Sequence, residues 1–143
     1  MKRKIEYIIV HCTAGNQNQS VFSLCRWFLN GRGWSEPGYH FIINKSGLVI
    51  PLEPLETVVN GAKGYNQNGI HVAWVGGVDS SGKPTDNRTI QQKASLQFLL
   101  NELHRKFPDA KIRGHRELPG VQKECPCFDV KTEFKNLRED EKE

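Results

Sequence analysis

Two histidines, two cysteines, a lysine and a tyrosine carry the chemistry this chain can do. His115, Lys123, Cys125 and Cys127 share one segment, Gly114-His-Arg-Glu-Leu-Pro-Gly-Val-Gln-Lys-Glu-Cys-Pro-Cys-Phe-Asp129. It is too rich in proline and glycine to be regular structure. Imidazole and thiolate both suit zinc. The His115–Cys125 spacing matches neither a helical His-Glu-x-x-His site nor a Cys-x-x-Cys knuckle, so a metal there needs a ligand from far away in the chain. The best candidate is His11, at the end of the apolar run Tyr7-Ile-Ile-Val10. A His2Cys set fills three tetrahedral positions and leaves the fourth for water, the pattern of catalytic zinc. The thiolate blunts the polarising power of such a centre, which a nearby cation or proton donor would restore. Lys123 is placed to put an ammonium beside a developing oxyanion. Tyr39 is a second candidate, as proton donor or acceptor.

On spacing alone, other readings stay open. His11 can be a core histidine that caps its strand. Cys125 or Cys127 can be the nucleophile of a Cys–His thiol hydrolase. The four cysteines, Cys12, Cys25, Cys125 and Cys127, could pair as two disulfides in a secreted chain. The N-terminus begins basic but lacks the apolar stretch of a secretory signal, so free or metal-bound thiols are expected. Cys127 is not expected to join Cys125 on one metal, because Pro126 restricts the backbone between them.

The elements that must position these groups follow from pattern. Glu6 to His11 reads as a buried strand that projects His11 into a loop. Ser20 caps a helix to about Asn30, with Val21, Leu24, Trp27 and Phe28 on one face and Cys25 as packing. Trp34 to Gly38 is a turn. Tyr39 to Ile50 is a hairpin turning at Lys45-Ser-Gly47, with Tyr39 and His40 pointing to opposite faces. Residues 53–70 form a long, functional or mobile loop. Gly69 to Val75 is apolar enough to be a central strand, and His71 within it reads as a satisfied strand histidine. Thr89 caps a helix to Phe107 that buries Ala94, Leu96, Phe98, Leu99, Leu100, Leu103 and Phe107. Lys111 to Arg113 is a short strand that delivers His115 as the first strand delivers His11. Asp129 caps a last helix to about Leu137, and residues 138–143 are a charged tail. Strands and helices mix without strict alternation, which predicts an α/β fold with a mixed sheet and helices packed on it.

The whole chain sets bounds on these readings. Its 143 residues suit one domain with a single core. With 37% hydrophobic and 25% charged residues, it has the balance of an ordinary globule rather than of a disordered chain. The net charge of +4 is too mild to argue for nucleic acid. No apolar run is long enough for a membrane span. The expectation is a monomer, made in the cytoplasm without a signal peptide, that meets neither nucleic acid nor membrane.

Six segments, in order, resemble the type 2 N-acetylmuramoyl-L-alanine amidases: Ile8-Ile-Val-His-Cys-Thr-Ala14, Gly33-Trp34, Gly38-Tyr-His-Phe-Ile-Ile43, Ala62-Lys-Gly-Tyr-Asn66, Val75-Gly-Gly-Val-Asp79 and Lys123-Glu-Cys-Pro-Cys-Phe-Asp129. Peptidoglycan recognition proteins share that fold. The resemblance implies a central mixed sheet flanked by helices, with a zinc cleft on one face. It implies a zinc hydrolase, a phage or prophage endolysin or a bacterial enzyme, that cuts between N-acetylmuramic acid and L-alanine in peptidoglycan. Such an enzyme acts on the wall after release. It also implies zinc on His11, His115 and Cys125, with Tyr39 and Lys123 as catalytic groups and residues 1–143 as one catalytic domain. The alternative is a module that binds peptidoglycan without cutting it; such modules typically lack the cysteine ligand, which is present here. The sequence departs from the family pattern in three places. Gly61 stands where close relatives carry a cleft histidine, which predicts weaker grip on substrate. Cys127 replaces a common serine. The loop from His115 to Cys125 is somewhat longer than in the phage member it most resembles.

Overall fold

The computed structural model describes residues 3–33 and 37–138. Trp34, Ser35 and Glu36 of the expected turn, and the expected charged tail beyond Arg138, lie outside the described residues. Five strands, β1 (Tyr7–Cys12), β2 (Phe41–Ile43), β3 (Val49–Pro51), β4 (Gly69–Trp74) and β5 (Lys111–Gly114), form one sheet in the order β3-β2-β4-β1-β5. β1 runs parallel to both β4 and β5, and β2 runs parallel to β4. Only the β2–β3 hairpin is antiparallel, so the sheet is mixed, as the sequence predicts. All six residues of β4 are buried, in keeping with a place between two other strands.

Alternation along the strands divides the molecule. Ile8, Val10 and Cys12 of β1 and Ile70, Val72 and Trp74 of β4 face a core shared with helices α2 (Ile90–Lys106) and α3 (Val130–Glu133). The opposite face carries Ile9 and His11 of β1 and His71 and Ala73 of β4. One end of it is covered by Leu24 and Phe28 of helix α1 (Val21–Arg26) and its continuation, and the other by Ala62 and Leu118. A cleft remains between these covers, at the carboxyl ends of the parallel strands, where open α/β sheets generally place ligands.

The helices follow their caps. Ser20 accepts from the Ser23 amide and starts α1. From Trp27 to Gly31 the helix widens into a π-type turn. Leu24 and Phe28 stay buried, but Trp27 leaves the expected stripe, is 48% exposed and lines the cleft. Thr89 and Gln92 form a reciprocal capping box at the start of α2. The buried stripe of α2 is Gln92, Leu96, Leu100 and Leu103. Ala94 and Phe98, expected inside, are exposed because they fall off this i, i+4 stripe. Gln92 earns no place in an apolar pattern; it is buried because its side-chain amide donates to the Ile43 and Val75 carbonyls at the ends of their strands. The expected last helix is shorter, with Asp129 capping α3 and a 3-10 turn over Lys135–Leu137 following it. No helix among the described residues is long and apolar enough to cross a membrane.

Candidate metal centre and cleft

Parallel pairing brings the two distant histidines together. Val10 of β1 lies opposite Gly114 of β5, so His11 and His115 follow side by side at the same sheet edge. Their ring centroids are 4.7 Å apart. His115 opens a tight turn held from outside. Glu117 Oε1 accepts from the Gly114 amide and from the Arg138 guanidinium. Cys125 comes back to this edge by a backbone bond from the Arg116 amide to its carbonyl, 2.8 Å, and by the Cys12 amide donating to its Sγ, 3.2 Å. The Trp74 indole donates to the Pro126 carbonyl at 3.2 Å and pins the chain just beyond.

His11, His115 and Cys125 form the one group of at least three His, Cys, Asp or Glu residues, among the described residues, that could hold a metal ion. Their ligand atoms lie within 4.8 Å of one another. Zinc bond lengths of about 2.0–2.3 Å imply tetrahedral edges of roughly 3.3–3.6 Å, a contraction within reach of small side-chain rotations. The protonation states fit as well. His11 is held well below its ordinary pKa by burial first, then by His71, His115 and Lys123. His115 is lowered to about 4 by burial and then Lys123. Both rings are therefore neutral near pH 7 and keep a lone pair for a metal.

Cys127 is not part of this group. Its Sγ donates to the Gly77 carbonyl at 3.4 Å and lies 3.7 Å from the Cys12 Sγ. Burial first, then Cys12, pushes its thiol up to about 12. It stays a protonated thiol turned toward the sheet, outside that group.

Tyr39 and Lys123 flank the centre. The Tyr39 ring lies 5.2 Å from the His11 ring, and its hydroxyl donates to the Cys12 carbonyl at 3.4 Å. Burial first, with Cys125 and Cys12 adding to it, raises the phenol above its ordinary range and keeps it protonated. Lys123 is exposed on the rim, and its charge reaches both histidines. The cleft has a volume of about 550 Å³. Arg32, Lys63 and Lys123 line it, and among the described residues no Asp or Glu does. His40, on the other side of the chain from Tyr39, is buried and serves the sheet. Its Nδ1 accepts the His71 amide and its Nε2 meets the Thr57 carbonyl.

The family profile described as N-acetylmuramoyl-L-alanine amidase matches residues 1–128. The chain belongs to the N-acetylmuramoyl-L-alanine amidase family. It is similar to the endolysin of Escherichia phage T7, 40% identical over 132 residues covering 91% of this chain and 85% of that protein. It is also similar to the endolysin of Enterobacteria phage T3, 41% identical over 128 residues covering 88% and 83%. Among solved structures, the endolysin amidase LysCS from Clostridium intestinale superposes with a TM-score of 0.76 at 27% identity, covering 93% of this chain and 85% of that one. The mixed sheet with flanking helices is thus the fold of this amidase family.

Two features of the site escaped sequence reasoning. His71, read as an ordinary strand histidine, puts its Nδ1 2.9 Å from the His11 Nε2. The only signal was a lone histidine in an otherwise apolar strand, and which strand it would pair beside was not readable. Gly61, read as weakening the grip on substrate, lies against the His71 ring: a Cβ on residue 61 would sit 2.2 Å from the His71 Nδ1. A histidine at 61 therefore has no room while His71 is present.

Proposed function

We propose that this chain is a zinc-dependent N-acetylmuramoyl-L-alanine amidase that cuts the amide between the lactyl group of N-acetylmuramic acid and L-alanine. The observation that carries the reading is the convergence of the His11, His115 and Cys125 donors on the cleft floor, between a buried phenol and a rim ammonium. Zinc held by these three residues would supply Lewis acidity toward the scissile carbonyl and a water of lowered pKa. The ligand histidines stay neutral by burial and by the field of Lys123. Lys123 places its ammonium where negative charge grows on the carbonyl oxygen. Tyr39 keeps its proton at Oη beside that oxygen and orients the reacting groups. The net addition of water yields a lactyl carboxylate and a free L-alanine amine. Arg32, Lys63 and Lys123 on the cleft walls suit a stem peptide that carries carboxylates.

The same reading makes residues 1–143 one catalytic domain, active as a monomer on the wall after release from the cytoplasm, with no nucleic-acid or membrane partner. Digestion of purified peptidoglycan, with zinc measured on the same preparation, tests it. Near-stoichiometric zinc and new L-alanine amino termini are expected. Full activity in strong chelator, or binding to peptidoglycan without any new amino terminus, would overturn it.

A further inference from the structure

His71 has no part in the chemistry above, yet its surroundings are built around it. It is fully buried in β4, on the same sheet face as His11 and one register step away, since Ile9 pairs with His71 and His11 with Ala73. The two rings of His11 and His71 meet edge to edge through a 2.9 Å contact between Nε2 and Nδ1. The other nitrogen of His11, Nδ1, faces the Cys125 Sγ at 3.9 Å. His11 therefore divides its two nitrogens, one toward the donor cluster and one toward His71. A neutral imidazole that offers a lone pair at Nδ1 carries its proton at Nε2. The His71 Nδ1 is the acceptor placed to take that hydrogen bond.

The fold also fixes His71. Its backbone amide donates to the His40 Nδ1 at 3.0 Å, and the His40 Nε2 is held by the Thr57 carbonyl at 2.7 Å. Two glycines leave space for its ring. A Cβ on Gly61 would lie 2.2 Å from Nδ1, and a Cβ on Gly69 would lie 3.1 Å from Nε2. Neither glycine has a left-handed φ, so room rather than backbone conformation is what they supply.

We propose that His71 is a positioning residue for the metal ligand His11, and that Gly61 is the opening that admits its ring. The inference rests on the zinc reading above. A hydrogen bond to the far nitrogen of a ligand histidine fixes its tautomer and orientation, and its loss typically weakens metal affinity by about 10–100-fold. A histidine that only fills space would not need an acceptor at that point.

Zinc affinity, measured by competition with a chromophoric chelator, separates these roles. His71→Ala and His71→Leu should both bind zinc roughly 10–100-fold more weakly than the unaltered chain. His71→Asn, whose side-chain oxygen can stand near the position of Nδ1, should recover most of the loss. Gly61→Ala should weaken zinc in the same direction without touching β4. Gly61→His combined with His71→Gly, which returns an imidazole to the same space from the loop, should bind better than Gly61→His alone. Metal-free melting curves identify any variant that has lost its fold, and Gly61→Ala and His71→Asn keep the test alive if His71→Ala has. The proposal is overturned if His71→Leu binds zinc as the unaltered chain does, or if His71→Asn is no better than His71→Ala. An unaltered chain that takes up no zinc overturns the zinc reading itself, a failure distinct from equal affinity across the variants.

Discussion

Arg88 offers a stability test tied to the metal centre. Its side chain is 1% exposed and bonds two carboxylates at once. Asp86 accepts at 2.9 Å from Nε and from Nη2, and Glu133 of α3 accepts at 2.7 Å from Nη1 and from Nη2. The guanidinium carbon lies 3.5 Å from the centre of the Phe128 ring. Arg88 thus straps the loop before α2 to the segment that follows Cys125. Arg88→Met keeps the stem volume but strands both acids. Breaking a buried ion pair costs about 3–5 kcal/mol. Asp86 and Glu133 are 30% and 36% exposed, so water repays part of the loss, and about 2–4 kcal/mol is the expected net cost. For a chain of this size that corresponds to a fall in melting temperature of roughly 10 °C. Zinc affinity should fall too, because Phe128 and α3 belong to the core against which Cys125 packs. Calorimetry of the metal-free and zinc-loaded protein reads both effects. Arg105→Met is the control, since Arg105 and its partner Glu102 are 76% and 43% exposed and such a pair is worth less than about 1 kcal/mol. If Arg88→Met melts within about 2 °C of the unaltered chain, the strap contributes little and the reasoning fails.

Lys123→Ala should retain zinc yet lower turnover by roughly two to three orders of magnitude, the usual loss when an oxyanion donor is removed. Tyr39→Phe should do likewise with a changed pH profile, and unchanged turnover in both would refute their assignment. Cys127→Ser should keep zinc and activity while Cys125→Ser loses both; the reverse would mean that the wrong thiol was assigned. Acid should destabilise the metal-free protein: burial lowers the His40 pKa from 6.5 to about 4, so the unfolded chain takes up the proton first and stability is lost as pH falls through that window. Melting temperatures that stay flat across it would contradict this placement of His40.

The parts of the site that were legible in the sequence are those fixed by local pattern. A β-branched run ending in His11, a short strand leading to His115, and a cysteine just ahead of Pro126 each announce themselves without knowledge of what they meet. Donor chemistry then limits which of them can share a metal. What was hidden depends on register. The meeting of His71 with His11 needs β4 to lie parallel to β1 with Ile9 opposite His71, and no residue of either strand encodes that pairing alone. The ring that lies against Gly61 was hidden for the same reason, since it comes from β4. Phe98 and Ala94 were misplaced for a simpler reason. Apolar type was taken as burial, whereas the stripe was set by Gln92, a polar residue whose amide satisfies two strand-end carbonyls.

The loop between His115 and Cys125 is closed at its base, beside the two candidate ligands. The Arg116 amide bonds the Cys125 carbonyl, so the residues beside the two ligands are clasped at the base. Arg116 and Glu124 add an ion contact of 3.8 Å at the same place. Anything inserted above that clasp pays only the slowly growing entropy of a longer loop, about 0.6 kcal/mol for each doubling. Ligand geometry is therefore insulated from loop length. Lys123 is not, because it sits within the loop on its exposed rim. The two kinds of residue can differ in this way because their tasks differ. A metal ligand must hold its atom to within a few tenths of an ångström of the bonding distance. An ammonium that stabilises charge acts through a field that falls off gradually with distance. The fold spends its rigid contacts on the three donors and leaves the charge on a tether.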